Sequence, residues 1–311
     1  MLRGSTLREY FAARWKRIYP PYLVALCCVV VVRLSILALM SRGFFQGALP
    51  PESPLDYGLG YWLANVALVQ LPTGYTSYLA ISWSLCYEIM FYVLAGGLWW
   101  LATVVRSSQN RTVLLVTLLN FCSLASLVWL STFKSTCPFP LDRWYQFGLG
   151  MAMFVLINRK QMQLARSLQM QSIVVILATL VHAWHSSPIK AVDAFFADRT
   201  LVLCVLGFVV FVTALARFDR QISTHWLIVQ FRKLGTISYS LYLFHMIPMP
   251  FVDAVLRRAG LEGSLYLVNV AAQTVTALIA GMLFHRLVEK RFFETKKRLI
   301  EAAPLQCQPT I

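Results

Sequence analysis

A carboxylate and a histidine lie inside long apolar runs of this 311-residue sequence. Glu88 belongs to a run that begins near residue 81, and His245 belongs to one that begins near residue 237. Ionisable groups within membrane-spanning segments are costly and by default point to function. A carboxylate and a histidine are also residue types that accept protons as general bases. We therefore take Glu88 and His245 as the candidate catalytic residues.

Each candidate shares a helix face with other polar side chains, because residues three or four positions apart are neighbours on an α-helix. These neighbours are Ser84 and Tyr92 beside Glu88, and Ser238 and Tyr242 beside His245. Glu88 has two interpretations: a base or orienting carboxylate for a hydroxyl substrate, or a structural carboxylate paired with Arg33 or a tyrosine. His245 is either a proton shuttle or a packing histidine.

A basic cluster of Arg14, Lys16 and Arg17 precedes the first apolar run. The spacing Arg14-x-x-Arg17 places two guanidinium groups on one helix face, where they can clamp phosphates. The same cluster also suits a topology signal that faces anionic lipid head groups. The residues alone leave both interpretations open.

The remaining histidines and the cysteines indicate no metal or disulfide chemistry. His182 and His185 have a spacing that could bind a metal ion, but no carboxylate or cysteine stands beside them. We predict interfacial histidines and no metal site. The seven cysteines are odd in number and lack metal-ligand spacing, which predicts no disulfide framework.

The composition is that of a membrane protein. Hydrophobic residues make up 58% of the chain and charged residues 13%, with a mean hydropathy of +0.63. Soluble domains are about 45–50% apolar and about 25% charged. The surplus apolar surface requires lipid as its solvent. We predict an all-α fold, a polytopic transmembrane helical bundle that forms one domain over residues 1–311.

About eight apolar runs approach the length of about 20 residues that crosses a bilayer. They are 22–40, 81–101, 113–133, 144–157, 170–186, 200–216, 237–251 and 264–285. A further stretch, 59–71, is shorter and predicts a re-entrant or interfacial helix.

The positions of the basic residues predict the orientation. If the eight runs alternate and the N-terminus is inside, 20 Lys and Arg residues fall on the inner side and seven on the outer side. This bias follows the positive-inside rule and predicts that both termini are cytoplasmic.

The net charge of +15 suggests nucleic acid as one candidate partner. Because the charges lie in short segments between apolar runs, we expect the lipid bilayer as partner and no nucleic acid.

Four segments of the sequence resemble the acyltransferase 3 family, in the family's order. They are Phe11-Ala-Ala-Arg-Trp-Lys-Arg-Ile-Tyr-Pro20, Trp83-Ser-Leu-Cys-Tyr-Glu-Ile-Met-Phe-Tyr92, Gly235-Thr-Ile-Ser-Tyr-Ser-Leu-Tyr-Leu-Phe-His245 and Glu289-Lys-Arg-Phe292. In the last of these, Arg291 stands where the family usually has proline. The four segments span most of the chain and are specific only together.

The resemblance implies a membrane O-acyltransferase of the bacterial cytoplasmic (inner) membrane. Such proteins hold no bound cofactor and move an acetyl or other acyl group from acyl-CoA to a carbohydrate or glycolipid hydroxyl, as in polysaccharide O-acetylation. On this basis Arg14 and Arg17 are expected to hold the CoA phosphates. Further substrate-binding residues are expected at Trp83, Ser84, Tyr87 and Tyr242.

The chain also departs from the family. Family members normally begin with two more helices, the first of which carries a basic residue followed by the histidine usually regarded as catalytic. No histidine precedes His182 here, and we expect a chain that lacks this helix pair. Two alternatives to the acyltransferase are therefore an inactive truncated remnant and a transporter or flippase for a lipid-linked sugar.

Overall fold

The computed structural model describes residues 6–43, 51–105, 111–133, 137–158, 166–185, 199–222, 224–260 and 266–291. Within these ranges the backbone forms ten α-helices and no β-strand, which confirms the predicted all-α class. The helices are α1 (Leu7–Met40), α2 (Leu59–Val66), α3 (Ser82–Val105), α4 (Arg111–Phe133), α5 (Trp144–Ile157), α6 (Arg166–His185), α7 (Arg199–Ile222), α8 (Trp226–Phe244), α9 (Met249–Arg258) and α10 (Tyr266–Phe284). A π-helix, His285–Glu289, continues α10.

Five helices are long and apolar enough to cross a membrane: α1, α3, α4, α6 and the continuous stretch Leu267–Glu289. The pair α8 and α9 forms a sixth candidate, bent by 74° at its break. Of the other predicted spans, 144–157 matches α5, which has 14 residues, and 200–216 lies within α7, which has 24 residues. The described residues thus contain five or six candidate spans, as expected of the predicted helical membrane bundle.

The predicted span 237–251 is not one straight helix, because α8 ends at Phe244 and α9 begins at Met249. Pro248 lies in the break and lacks the N–H that would continue the helical hydrogen bonds. Proline also disfavours helical geometry at the residue before it, Ile247. His245 therefore follows the last turn of α8 instead of lying within a continuous span.

The first helix starts well before the predicted span 22–40. Thr6 and Glu9 form a reciprocal capping box: the Glu9 N–H donates to Thr6 Oγ1 at 3.2 Å, and the Thr6 N–H donates to Glu9 Oε2 at 2.9 Å. The cap allows the helix to include the basic cluster. Arg14 and Arg17 consequently belong to the same 34-residue helix as the apolar run.

The described chain divides into two compact units. Unit 1 comprises Met1–Phe11 and Tyr87–Ile228, and unit 2 comprises Ala12–Cys86 and Val229–Ile311. In unit 1, α4, α5 and α6 pack against one another. Trp144 is 2% exposed in this core, among Ala95, Leu115 and Leu119. Gly148 permits the close approach of α4, since a Cβ there would collide with Ser123.

In unit 2, the segment that follows α1 folds back along that helix. The Tyr22 hydroxyl donates to the Asn65 carbonyl at 2.6 Å, and the Tyr19 hydroxyl donates to the Ala67 carbonyl at 2.9 Å. Tyr22 lies about 27 Å before the end of α1 at Met40, by the helical rise of about 1.5 Å per residue. The stretch 59–71 therefore packs far along α1 from that end, as a re-entrant segment does.

Asn65 holds the re-entrant segment together. It is fully buried; its amide nitrogen donates to the carbonyls of Tyr61 at 3.1 Å and Thr76 at 3.2 Å, and its amide oxygen accepts from the Tyr78 N–H at 2.9 Å. Non-helical backbone at membrane depth is tolerated only where the protein satisfies its polar groups. Asn65 does so for both arms of the segment.

We predict that Asn65→Leu lowers the free energy of unfolding by about 2–4 kcal/mol, because three hydrogen bonds are lost and the N–H of the buried Tyr78 loses its partner. Asn120 is a matched control: it is 2% exposed, and neither polar atom of its side chain has a hydrogen-bond partner. Asn120→Leu should leave stability unchanged or raise it. Denaturant titration in detergent micelles measures both, and equal losses in the two variants would contradict the assigned role.

Candidate functional site

His245 lies in unit 2, directly after the last turn of α8. Its Nδ1 is 2.8 Å from the carbonyl oxygen of Tyr242. A carbonyl oxygen can only accept a hydrogen bond, so Nδ1 carries the proton in this contact. In the neutral imidazole the other nitrogen, Nε2, then holds a free lone pair. The helix end thus selects the tautomer that can accept a proton at Nε2.

Two predicted substrate-binding residues meet next to His245. The Tyr242 hydroxyl donates to the Ile81 carbonyl at 2.6 Å and also contacts the Ser84 hydroxyl. The Ser84 hydroxyl lies 3.3 Å from the same Ile81 carbonyl, so the two hydroxyl groups and that carbonyl form one hydrogen-bonded cluster. The ring of Tyr242 lies 6.4 Å from that of His245, centroid to centroid. The structure therefore brings Ser84, Tyr242 and His245 together.

A groove of about 470 Å³ opens beside His245. It is formed by α8, the break after α8, the first residue of α9 and one face of α10. Its lining residues are Ser238, Leu241, Tyr242, His245, Met249, Val270, Gln273, Thr274, Ala277 and Leu278. Within it, Gln273 donates a hydrogen bond from Nε2 to Asp253 Oδ1 of α9 at 2.9 Å. Sequence reasoning did not single out Gln273 or Asp253.

The basic pair of α1 belongs to the same unit. Arg14 is half-buried and Arg17 is exposed. Two prolines, Pro20 and Pro21, lie within this helix and cannot donate to the carbonyls four residues earlier. One residue beyond Arg17, the carbonyl of Ile18 accepts a hydrogen bond from the Tyr239 hydroxyl at 2.9 Å. This bond ties α8 to α1 beside the basic pair.

Trp83 stands at the start of α3, in unit 2, and is 38% exposed. An exposed indole offers an apolar face to a ligand. Its location is compatible with the predicted role in substrate binding, and Trp15 of α1 provides a second exposed indole at 57%.

Glu88 lies in unit 1, on α3, and accepts a hydrogen bond from the Tyr92 hydroxyl at 2.5 Å. Of the two structural partners considered from sequence, Tyr92 therefore binds it. Arg33, the other one considered, lies in unit 2, where its guanidinium is 3.6 Å from Glu52 Oε2 and donates to the Tyr78 carbonyl at 3.1 Å. Glu88 is half-buried.

Tyr87, predicted to bind substrate, is 8% exposed in unit 1. Its hydroxyl donates to Asp142 Oδ2 at 2.6 Å, and the Phe139 ring lies 4.7 Å away. This side chain is packed, and its hydroxyl proton is donated to another side chain of the protein. Asp142 was missed in the sequence, where it stands outside the predicted spans. Burial and the charge of Asp142 raise the pKa of the Cys137 thiol to about 11, so that thiol is not a nucleophile at neutral pH.

A buried polar cluster in unit 2 also escaped the sequence analysis. Glu289 Oε2 accepts hydrogen bonds from the Ser240 hydroxyl and from His285 Nδ1, the latter at 2.9 Å. Ser240 is fully buried and Glu289 is 6% exposed, the one buried carboxylate in the described part of the chain. Glu289 and Ser240 come from two of the four family-like segments. The cluster joins α8 to the π-helix.

The comparisons with known proteins rest on one match. A family model described as an acyltransferase domain matches residues 1–286. No curated protein and no solved structure gives a significant match to the chain.

We predict that Ser240 and Glu289 are energetically coupled, because a hydrogen bond to a buried carboxylate contributes about 1.5–3 kcal/mol. The free energies of unfolding of Ser240→Ala, Glu289→Met and the double variant should give a coupling of that size in a double-mutant cycle. Ser238→Ala, on the exposed side of α8, should show no coupling to Glu289→Met. Additive effects for Ser240 and Glu289 would contradict the contact.

Proposed function

The chain belongs to the acyltransferase 3 family, and on that premise we propose that it is a membrane O-acyltransferase with acyl-CoA as donor and a carbohydrate hydroxyl as acceptor. The family match over residues 1–286 carries this proposal, and the free lone pair of His245 beside a groove supports it. The proposed location is the bacterial inner membrane, with both termini in the cytoplasm.

The reaction needs a base for the attacking hydroxyl. In the proposed step, the acceptor oxygen forms a bond to the thioester carbonyl carbon while its proton passes to Nε2 of His245. The carbon–sulfur bond then breaks, and protonated His245 returns the proton to the CoA sulfur. The negative charge that develops on the carbonyl oxygen requires hydrogen-bond donors nearby.

Glu88 is proposed to handle a proton or to orient a reacting group. A carboxylate that accepts one hydrogen bond from Tyr92 keeps further lone pairs for such a role. The competing interpretation is that Glu88 only holds Tyr92 in place. The two interpretations predict different activities for a variant that keeps the Glu88 carboxylate but lacks the Tyr92 hydroxyl.

Arg14 and Arg17 are proposed to hold the phosphates of the donor. Guanidinium groups bind phosphate through paired, charge-assisted hydrogen bonds. On the predicted topology both arginines are on the cytoplasmic side, where acyl-CoA is supplied. Trp83 is proposed to contact the acceptor sugar.

We predict that Glu88→Gln lowers acetyl transfer by about 100-fold or more, the usual contribution of a proton-transferring group. Tyr92→Phe, which keeps the carboxylate and removes only its hydrogen-bond donor, should retain activity within about tenfold. The readout is the acetyl content of the acceptor polysaccharide by NMR. Equal losses in both variants would reduce Glu88 to a structural role, and full activity of Glu88→Gln would remove it from the mechanism.

We also predict that Arg14→Gln and Arg17→Gln raise the KM for acetyl-CoA by about tenfold each, since a charge-assisted hydrogen bond contributes about 1.5–3 kcal/mol. The KM for acetyl-pantetheine, which lacks the nucleotide phosphates, should not change. Arg8→Gln, an exposed arginine earlier on the same helix, is the control. Equal effects on both donors would contradict phosphate binding by this pair.

A further inference from the structure

The groove beside His245 is lined by both polar and apolar side chains. Five of its lining side chains are polar: Ser238, Tyr242, His245, Gln273 and Thr274. None of the ten lining residues is a lysine or an arginine. The direction of each hydrogen bond decides what these side chains can offer to a ligand.

The three hydroxyl groups have already donated their protons to backbone carbonyls. Ser238 donates to the Gly235 carbonyl at 2.8 Å, and Thr274 donates to the Val270 carbonyl at 2.7 Å. Tyr242 donates to the Ile81 carbonyl at 2.6 Å. A hydroxyl whose single proton is already donated in a hydrogen bond can only accept further hydrogen bonds.

The hydrogen bonds of the two nitrogen-bearing side chains, His245 and Gln273, also leave acceptor atoms for the groove. His245 places its Nδ1 proton on the Tyr242 carbonyl, which leaves the Nε2 lone pair. Asp253 is a carboxylate and therefore holds the amide nitrogen of Gln273, which fixes the orientation of that amide. The amide oxygen of Gln273, an acceptor, is left for the groove, and only the second N–H of Gln273 remains as a donor.

We infer that this groove binds the acceptor through two neighbouring hydroxyl groups, one donating to His245 Nε2 and the other to Gln273 Oε1. A lining with five side-chain acceptors and a single side-chain donor, the second N–H of Gln273, selects a ligand rich in donors, which a polyol is and a phosphate is not. The volume of about 470 Å³ lies within the range of about 300–1,000 Å³ usual for small-molecule sites. The inference rests on the proposed function and assigns its acceptor subsite.

Gln273 is thus the residue that distinguishes a sugar with a free neighbouring hydroxyl from one without it. Asp253 is a positioning residue, because it acts only through the orientation of the Gln273 amide. Replacing Asp253 by asparagine supplies an amide that can donate to Gln273 Oε1. The Gln273 amide is then free to turn, and its oxygen no longer faces the groove.

The experiment uses the full-length chain in lipid nanodiscs, acetyl-CoA and a panel of methyl hexopyranosides with their monodeoxy analogues. The wild type should prefer the parent sugar over the analogue that lacks the hydroxyl next to the acetylated position by about tenfold in kcat/KM, the contribution of one hydrogen bond. Gln273→Leu should reduce this preference to about one. Asp253→Asn should weaken it without removing any side-chain volume.

The KM for acetyl-CoA should stay unchanged in both variants, which a general loss of structure would not allow. Asn269→Leu, one turn earlier on α10 and outside the groove lining, should keep the full preference. Transfer without a deoxy preference in the wild type, or with the preference retained in both Gln273→Leu and Asp253→Asn, overturns the subsite and leaves the acyltransferase proposal standing. No transfer to any sugar by the wild type overturns the proposed function and the subsite together.

Discussion

The constraint on which this structure depends is the scarcity of water around its helices. In a chain that is 58% hydrophobic, a polar group away from water must find its partner inside the protein. Asn65 satisfies both arms of the re-entrant segment, and Glu289 accepts from two helical segments through one oxygen. The few polar side chains therefore determine where non-regular backbone can exist.

The same constraint builds the site. Pro248 prevents α8 from continuing, and the break leaves the Tyr242 carbonyl available to the His245 side chain. That contact sets the imidazole tautomer, and the lone pair it leaves belongs to a residue that lines the groove. A feature of the backbone thus determines which nitrogen can accept a proton. The Tyr242 carbonyl is enough to set the tautomer of His245, without a charged partner for the histidine.

Part of this could be predicted from sequence. Composition gave the all-α membrane class, and helical spacing placed Tyr92 beside Glu88 and Tyr242 beside His245. The contact of Ser84 with Tyr242 could not be predicted, because it joins residues 158 positions apart in the chain. The Glu289 cluster was missed because the contact between Ser240 and Glu289 joins residues 49 positions apart in the chain and Glu289 lies beyond the predicted span 264–285. Helix lengths could not be predicted from the apolar runs alone, since 144–157 forms a helix of only 14 residues whereas 200–216 lies within a helix of 24 residues.

Transfer of a radiolabelled acetyl group by the purified chain is the most direct test of the proposed acyltransferase activity. In lipid nanodiscs with acetyl-CoA and a polysaccharide acceptor, we expect label in ester linkage to the acceptor and one free CoA thiol for each ester formed. His245→Ala should abolish both signals while the protein remains folded. Label transfer that persists in His245→Ala, or a wild type that consumes no acetyl-CoA, would contradict this proposal.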